Sequence, residues 1–87
     1  MAAPFEARYT RAFLTDLQKL ESSVQGRIIR AIETKLLPDP FSLGRKLAGK
    51  TGPGQWRFRV GDYRIRFDIE GRRLLFYRVL HRREIYE

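Results

Sequence analysis

The segment from Trp56 to Phe67, WRFRVGDYRIRF, constrains the fold more than any other part of the chain. Apolar residues and arginines alternate on both sides of Gly61-Asp62, which is the period of a β-strand with one buried face. A two-residue loop with glycine first suits a type II′ turn, so the segment predicts a β-hairpin. In the register that this loop imposes, one face is aromatic and aliphatic, and the other carries Arg57, Arg59, Arg64 and Arg66.

Four guanidinium groups on one face repel one another, because like charges that are directly opposed destabilise a sheet. A polyanion lying across the face would offset this repulsion, since the planar fork of arginine binds phosphate well. The alternative is a solvated face, or one that carboxylates from elsewhere neutralise. The residues alone favour an anion-binding face and do not identify the anion.

The overall charge indicates the same kind of partner. Eighteen lysines and arginines against ten acidic residues give a net charge of +8 and a pI near 10.6. Such basicity is typical of nucleic-acid binding, although membrane surfaces and acidic proteins attract the same charge. With no cysteine and one histidine, we expect no metal site and no cofactor. Because there is also no apolar run of membrane-spanning length and no signal-peptide pattern, we expect a cytoplasmic protein that does not enter a membrane.

Two helices are predicted between a short first strand, Phe5 to Tyr9, and Pro38. The first runs from about Thr10 or Arg11 to Leu20 or Glu21. The second begins where Ser22 and Gln25 match a capping box, and Pro38 ends it. Both helices carry an apolar stripe, so we expect an antiparallel helical hairpin that covers the apolar face of a sheet.

The glycine-rich stretch from Asp39 to Gln55 predicts a basic loop, which is either functional or a plain connector. After the central hairpin, a turn at Ile69 to Arg72 leads to a third strand, Arg73 to Leu80. That strand is almost continuously apolar, so we expect it to be buried on both faces near the sheet centre. We expect the first strand at the sheet edge or beside this buried strand.

These elements predict one α+β domain over residues 1–87. Its order is an N-terminal strand, an antiparallel helical hairpin and a three-stranded antiparallel meander. The helices cover one face of the sheet, because the aromatic side of the hairpin needs a cover, and the arginines occupy the open face.

Groups suited to chemistry are few: there is no evident Ser-His-Asp triad, no phosphate-binding glycine loop and no metal-ligand spacing. Arginines, lysines, His81 and Tyr86 remain. Such a set can bind a phosphodiester, stack a base and stabilise developing charge. RNA carries its own nucleophile in the 2′-OH, so a site of this kind can cleave RNA by positioning and electrostatics alone.

Four short motifs follow one another in the second half of the chain: Lys46-Leu47-x-Gly49, Trp56-Arg57-Phe58-Arg59, Gly61-Asp62-Tyr63-Arg64-Ile65 and His81-Arg82-Arg83-Glu84-Ile85-Tyr86. In this order, after a helical hairpin, they resemble the RelE/ParE toxin superfamily over nearly the whole chain. The resemblance implies the RelE-like fold and the toxin of a type II toxin–antitoxin pair. In its RelE branch, the toxin cuts mRNA in the ribosomal A site by metal-independent attack of the 2′-OH, which leaves a 2′,3′-cyclic phosphate.

By position, the resemblance implies five catalytic residues: Arg57, Arg59, Arg64, Arg82 and Tyr86. Arg82 matches an arginine that donates a proton or stabilises the leaving group, and Tyr86 matches a tyrosine that stacks on or orients the substrate. Further RNA contacts are expected from Lys46, Lys50, Arg66, His81 and Arg83. Ala48 stands where some members have an arginine. Because arginine scarcely deprotonates, the general base is left open.

Three of these residues also have a purely structural interpretation, and the sequence allows two other functions. Arg64 could pair with Asp62 or Asp68, His81 could be an ordinary polar residue at a strand end, and Tyr86 could pin the tail. The second function is a ParE-like inhibitor of DNA gyrase, and the third is a catalytically inactive relative that binds an antitoxin. All three imply a cognate antitoxin with an acidic wrapping segment. The first also implies the ribosome and mRNA as partners.

Overall fold

The computed structural model describes residues 4–85, with the side chains of residues 4–84. Within this part, five strands form one mixed sheet in the order β1-β5-β4-β3-β2, so the α+β prediction is confirmed. The strands are β1 (Glu6–Tyr9), β2 (Arg45–Lys46), β3 (Trp56–Val60), β4 (Tyr63–Glu70) and β5 (Arg73–His81). The helices are α1 (Arg11–Gln18), α2 (Ser22–Ala31), α3 (Pro40–Leu43) and α4 (Arg82–Ile85). No helix of the described part is long and apolar enough to cross a bilayer.

The central hairpin has the predicted register, with Val60 opposite Tyr63 and Trp56 opposite Phe67. Gly61 has a φ of +58°, whereas no described non-glycine residue has a positive φ. A positive φ at the first loop position alone is the pattern of a type II′ turn. Phe58, Ile65 and Phe67 are buried beneath the helices. The prediction that the arginines occupy the open face is therefore confirmed.

The third strand of the meander is longer than predicted. Its turn is Gly71-Arg72 alone, so Ile69 and Glu70 belong to β4. A β-bulge at Tyr77 follows, because Arg66 lies opposite Arg78 whereas Phe67 lies opposite Phe76. β5 is paired on both edges, in parallel with β1 and antiparallel with β4.

The expectation that β5 is buried on both faces is wrong. Leu74, Phe76 and Val79 are buried under the helices, but Leu75, Tyr77 and Leu80 on the other face are only half-buried. No helix of residues 4–85 covers that face, and its apolar residues are sheltered by neighbouring side chains and by the loop at Gly54, which approaches Tyr77.

The first helix has a side-chain cap at its N-terminus, and the second does not. Thr10 Oγ1 accepts a hydrogen bond from Phe13 N at 3.1 Å. The N-cap of α2 is Glu21 and forms no side-chain cap, so the predicted capping box between Ser22 and Gln25 is wrong. Gln25 Nε2 instead donates to Leu20 O at 2.8 Å, because the connection between the helices is short enough to bring that carbonyl within reach.

The segment after α2 is more ordered than the sequence predicts. The helix continues as a π-helical turn over Ile32–Leu36 and stops before Pro38, as expected. The predicted loop then contains both α3 and β2, which is a correction. Pro40 opens α3 because its fixed φ suits the first helical turn. β2 has only two residues, too few for an alternation to be visible in the sequence.

The edge of β5 beyond β1 is covered by polar groups of the first helix. Thr10 Oγ1 donates to Tyr77 O at 3.1 Å, and the Asp16 carboxylate accepts from Val79 N at 3.0 Å. Arg78 Nε also donates to Asp16, at 2.7 Å. Beyond Phe76, β1 no longer pairs with β5, and these hydrogen bonds satisfy the edge of β5 instead. They also hold α1 against the sheet.

Candidate nucleic-acid interface

The open side of the sheet presents five arginines, which we call the arginine face: Arg45, Arg57, Arg59, Arg64 and Arg66. Arg59 lies opposite Arg64, and Arg57 lies between Arg45 and Arg66. Directly opposed residues share a face, so the register gathers side chains from three neighbouring strands. Four of the five were predicted by the alternation of β3 and β4. Arg45 was missed, because only its pairing with β3 places it on this face.

Most of this positive charge has no counterion within residues 4–84. The ion pairs found there join Arg78 to Asp16 and Arg82 to Asp62. In the same part of the chain, no carboxylate oxygen lies within 4.0 Å of a side-chain nitrogen of Arg45, Arg57, Arg59 or Arg64. The proposed pairing of Arg64 with Asp62 or Asp68 is thus not observed, and the arginine face is open to an external anion.

Arg59, Arg64 and Arg82 line a shallow pocket beside the hairpin loop, together with Gly61 and Asp62; we call it the turn pocket. Arg59 Nε donates to Gly61 O at 3.0 Å, which directs this guanidinium along the loop. Arg82 N donates to Asp62 O at 2.7 Å. Arg82 Nη1 lies 3.8 Å from Asp62 Oδ1. The loop therefore positions two arginines at one end of the sheet.

A second pocket adjoins the first along β3. Leu43, Arg45, Arg57, Arg59 and Arg64 line it, and we call it the edge pocket. Arg59 and Arg64 belong to both pockets. The two pockets thus form one continuous basic surface that leads from α4 to the outer strand.

Arg66 is the member of the arginine face that the fold itself uses. It is half-buried, and its Nε donates to Gly54 O at 2.7 Å. Burial lowers the pKa of Arg66, and the charge of Asp68 opposes that effect. Asp68 in turn accepts from Gly54 N at 3.0 Å and Gln55 N at 2.8 Å. This pair of side chains fixes the end of the long loop against the sheet.

His81 caps the short helix that carries Arg82. Its Nδ1 accepts from Arg83 N at 3.2 Å, and Glu84 Oε1 accepts from His81 N at 3.0 Å. This reciprocal arrangement has the logic of a capping box. The His81 ring also lies edge-on against Tyr63, with centroids 5.2 Å apart. His81 thus has a structural role, and the signal for it was the His-x-x-Glu spacing of residues 81–84.

The remaining predicted contacts are scattered. Lys46 lies opposite Trp56. Because successive residues of a strand alternate between its two faces, Lys46 is not on the same face as Arg45. Lys50 is exposed in the loop that follows. Arg83 is exposed and lines a depression shared with Asp62, His81 and Arg82. The structure therefore groups Arg57, Arg59, Arg64 and Arg82 and leaves both lysines outside the two pockets. The fifth predicted catalytic residue, Tyr86, lies outside the described residues.

The turn pocket is suited to neutralising a phosphate. Three guanidinium groups converge on it, and one carboxylate, that of Asp62, is the other charged group that lines it among the described residues. No group of three or more histidines or carboxylates that could hold a metal ion exists in the same part of the chain. Guanidinium groups donate hydrogen bonds and keep their charge, so this constellation can bind a phosphate and stabilise added negative charge.

Comparison with known proteins gives consistent matches over most of the chain. A family model for the ParE toxin of the type II toxin–antitoxin system parDE matches residues 7–86. The curated protein Toxin RelE3 of Methanocaldococcus jannaschii is 32% identical over 83 residues, which cover 91% of this chain and 92% of that protein.

Solved structures show the same fold. A chain of the toxin–antitoxin complex RelBE2 from Mycobacterium tuberculosis superposes with a TM-score of 0.82 at 25% identity, over 91% of this chain and 99% of that one. A chain of the RelB–RelE antitoxin–toxin complex from Methanococcus jannaschii gives a TM-score of 0.67 at 29% identity, over 91% and 94% of the two chains.

Proposed function

Since this chain belongs to the ParE toxin family of type II toxin–antitoxin systems, within the RelE/ParE superfamily, we propose that it is an endoribonuclease that cuts mRNA in the ribosomal A site. The observation that carries the proposal is the convergence of Arg59, Arg64 and Arg82 on the turn pocket. The similarity to a toxin named RelE3 supports the same branch.

The proposed reaction uses the nucleophile that RNA supplies. The 2′-oxygen attacks the adjacent phosphorus, the bond from phosphorus to the 5′-oxygen breaks, and a 2′,3′-cyclic phosphate and a 5′-hydroxyl result. Arg59 and Arg64 stabilise the charge on the non-bridging oxygens, and Arg82 donates a hydrogen bond to the departing oxygen. Arginine does not accept a proton, so the proton of the 2′-OH passes to a base outside the arginine set, and a water molecule supplies the proton that converts the departing 5′-oxygen into the 5′-hydroxyl.

Arg57 and Tyr86 complete the proposed site. Arg57 lies next to the turn pocket on β3 and binds the strand beside the scissile phosphate. We assign to Tyr86 the stacking on a neighbouring base that the superfamily resemblance implies. Positioning the RNA in line for attack is the task of the ribosome and of these flanking contacts together.

A cell-free translation reaction tests the proposal. We expect primer extension on the translated mRNA to show new 5′ ends inside codons when the purified protein is present. These ends should be absent when an initiation inhibitor keeps ribosomes off the message. Intact mRNA in the translating reaction would contradict the proposal.

Inhibition of DNA gyrase is the second candidate. It is favoured by the family match, which is to ParE toxins, and by the lack of an imidazole in the turn pocket among the described residues. A supercoiling assay with purified gyrase separates the two candidates. Inhibition of supercoiling with intact mRNA would establish the ParE-like activity and exclude the RelE-like one.

The type II family implies a cognate antitoxin, and two of the matched structures are toxin–antitoxin complexes. We propose that an acidic segment of the antitoxin folds onto this protein, because a partner with a net charge of +8 favours a complementary surface. Salt should then weaken the complex by slowing its association.

A further inference from the structure

We infer that the edge pocket is a second RNA subsite, in which Arg45 and Arg57 hold the phosphate next to the scissile one. The ligand is single-stranded RNA that runs from the turn pocket towards β2. This inference deepens the proposed function and rests on it, since the scissile phosphate is assigned to the turn pocket.

The strand geometry makes the two pockets parts of one track. Neighbouring strands are about 4.8 Å apart, and residues two apart along a strand are separated by about 6.8 Å. Arg45 is therefore one strand from Arg57, and Arg57 is two residues from Arg59. Because Arg59 and Arg64 line both pockets, a chain of phosphates meets arginine without a gap from Arg82 to Arg45.

Arg45 is held in place although its strand has only two residues. Leu47 N donates to Gln55 O at 2.8 Å, and Gly44 N donates to Pro40 O at 2.8 Å, so both ends of β2 are tied to the fold. A Cβ at Gly44 would come within 2.7 Å of the Phe67 ring, so the backbone here is packed closely against the core. The exposed Arg45 side chain thus starts from a fixed backbone position.

The charge of Arg45 does not stabilise the described part of the chain. Arg45 is directly opposed to Arg57, and a like-charge pair of this kind costs stability. Among residues 4–84, no carboxylate lies within ion-pair distance of either guanidinium. An anion in the edge pocket removes the repulsion, which is the physical reason to expect one there.

The wall of the edge pocket favours a nucleotide over an acidic side chain. Leu43 lines the pocket and is 46% exposed, which gives it an apolar surface on which a base can lie. A nucleotide pairs one phosphate with one flat base, and it matches an arginine pair beside a leucine. An acidic peptide would satisfy the arginines and leave Leu43 in water.

The test measures RNA binding as a function of salt. Fluorescence anisotropy is recorded with a 2′-O-methyl pentanucleotide and a 2′-O-methyl dinucleotide, neither of which can be cleaved, between 50 and 200 mM KCl. The proteins are the wild type, Arg45→Ala and Arg45→Lys. Arg30→Ala is the matched control, because Arg30 is exposed on α2, which packs against the opposite face of the sheet.

Loss of one phosphate contact lowers the slope of log K against log salt by about 0.7 for a single strand. Over this fourfold range of salt, the affinity of the wild type for the pentanucleotide should fall about 2.6-fold more than that of Arg45→Ala. The two proteins should have equal slopes with the dinucleotide, which is too short to reach the edge pocket. Arg45→Lys and Arg30→Ala should retain the wild-type slope.

Equal slopes for Arg45→Ala and wild type with the pentanucleotide would overturn the subsite. A slope change that appears with a decaglutamate peptide and not with the pentanucleotide would also overturn the subsite. The arginine face would then bind an acidic protein. Cleavage assays on translating ribosomes separate this failure from that of the proposed function. Normal cleavage with an unchanged slope rejects the subsite alone, whereas no cleavage by the wild type rejects the proposed function.

Discussion

Opposed arginines give this protein a conflict between stability and function at single residues. Arg64 faces Arg59 across the hairpin, whereas Arg73 faces Glu70 across the next pair of strands. A cross-strand charge pair contributes about 0.2–1 kcal/mol, with a sign that depends on the charges. We therefore expect repulsion at the arginine face to lower the free energy of unfolding, and the opposite charges of Glu70 and Arg73, which lie farther apart than 4.0 Å, to raise it.

The first prediction uses these two arginines as a matched pair. Arg64→Thr should raise the free energy of unfolding in urea by up to about 1 kcal/mol, because it removes repulsion and threonine suits a strand. Arg73→Thr should lower it by a similar amount. If Arg64→Thr were the more destabilising of the two, the arginine face would have to contribute to the fold.

Gly61 and Gly26 form a second matched pair, because the backbone requires glycine at the first position and not at the second. Gly61 has a φ of +58°, and a Cβ there would overlap the Arg27 guanidinium. Gly26 lies inside α2, and a Cβ there meets nothing within 4 Å. Gly61→Ala should destabilise the protein by about 1–2 kcal/mol. Gly26→Ala should stabilise it by about 0.5–1 kcal/mol.

Thermal and urea denaturation measure both glycine variants. Opposite signs for the two changes are expected. A neutral Gly61→Ala would show that the hairpin loop is not held in the type II′ conformation.

The sequence was informative at the residue scale wherever a residue's role depends on alternation along a strand. Arg57, Arg59 and Arg64 were found because period-2 alternation and a two-residue loop fix both their face and their partners. The hydrogen bond from Arg66 to Gly54 was not predictable, since it depends on how a glycine-rich loop returns to the sheet. Arg45 was also missed, because a two-residue strand carries no periodicity.

At the scale of elements, a partly buried carboxylate joins α1 to the sheet edge. The Asp16 side chain is 13% exposed and accepts from Val79 N, Arg78 Nε and Arg78 Nη2. Hydrogen bonding to Asp16 raises the pKa of Arg78, so the guanidinium of this pair stays charged.

Removal of this carboxylate should loosen the contact between helix and sheet. Asp16→Ala should cost about 1–3 kcal/mol, because it leaves Val79 N without its acceptor. Asp16→Asn should cost less, since its carbonyl oxygen can still accept from Val79 N. Thr15→Ala is the control, because Thr15 is the exposed neighbour of Asp16. Its free energy of unfolding should stay within about 0.5 kcal/mol of wild type. Equal costs for Asp16→Ala and Thr15→Ala would contradict this account of the helix attachment.

The short helix α4 delivers Arg82 to the turn pocket, and Glu84 holds its first turn. A lost helix cap costs about 1 kcal/mol, which corresponds to a roughly fivefold smaller ratio of ordered to frayed helix. Glu84→Ala should therefore lower mRNA cleavage by up to about fivefold while leaving the melting of the sheet unchanged. Glu84→Gln retains an acceptor oxygen and should keep most of the activity.

A cleavage assay that separates binding from rate gives the informative result for α4. The expected loss lies in the rate at saturating ribosome concentration, because Arg82 acts on the leaving oxygen. A loss confined to binding would instead make α4 a docking element of the ribosome complex.

Elements with a strong periodic signal were predictable, and those that depend on distant contacts were not. The hairpin, α1 and the end of the second helix at Pro38 follow from alternation, helical spacing and proline sterics. The bulge at Tyr77 and the π-helical turn at Ile32–Leu36 leave no periodic signal in the sequence. The failed capping box shows that a motif match depends on where the helix begins, because the N-cap is Glu21 and Ser22 is already helical.

At the scale of the whole molecule, the two faces of one sheet divide the tasks. The helical face holds the core and the aromatic stack of Tyr9, Phe13 and Phe76, whose neighbouring ring centroids are 5.0–5.7 Å apart. The open face collects arginines from three strands and from α4. The sequence predicted this division, because the hairpin shows both faces at once. It did not predict the second pocket, which needs β2 and α3 in place.

The most direct measurement is the rate of mRNA cleavage on ribosomes with a defined codon in the A site, for the wild type, Arg64→Ala and Arg30→Ala. Removal of one charge-stabilising donor typically costs about 10²–10³ in rate. We expect Arg64→Ala to lose at least about a hundredfold, because Arg64 lines both pockets, with its circular dichroism unchanged and its melting temperature not lowered. Arg30→Ala, which removes the same charge from the helical side, should cut at the wild-type rate. Equal rates for Arg64→Ala and Arg30→Ala would contradict the assignment of the arginine face as the site of RNA cleavage.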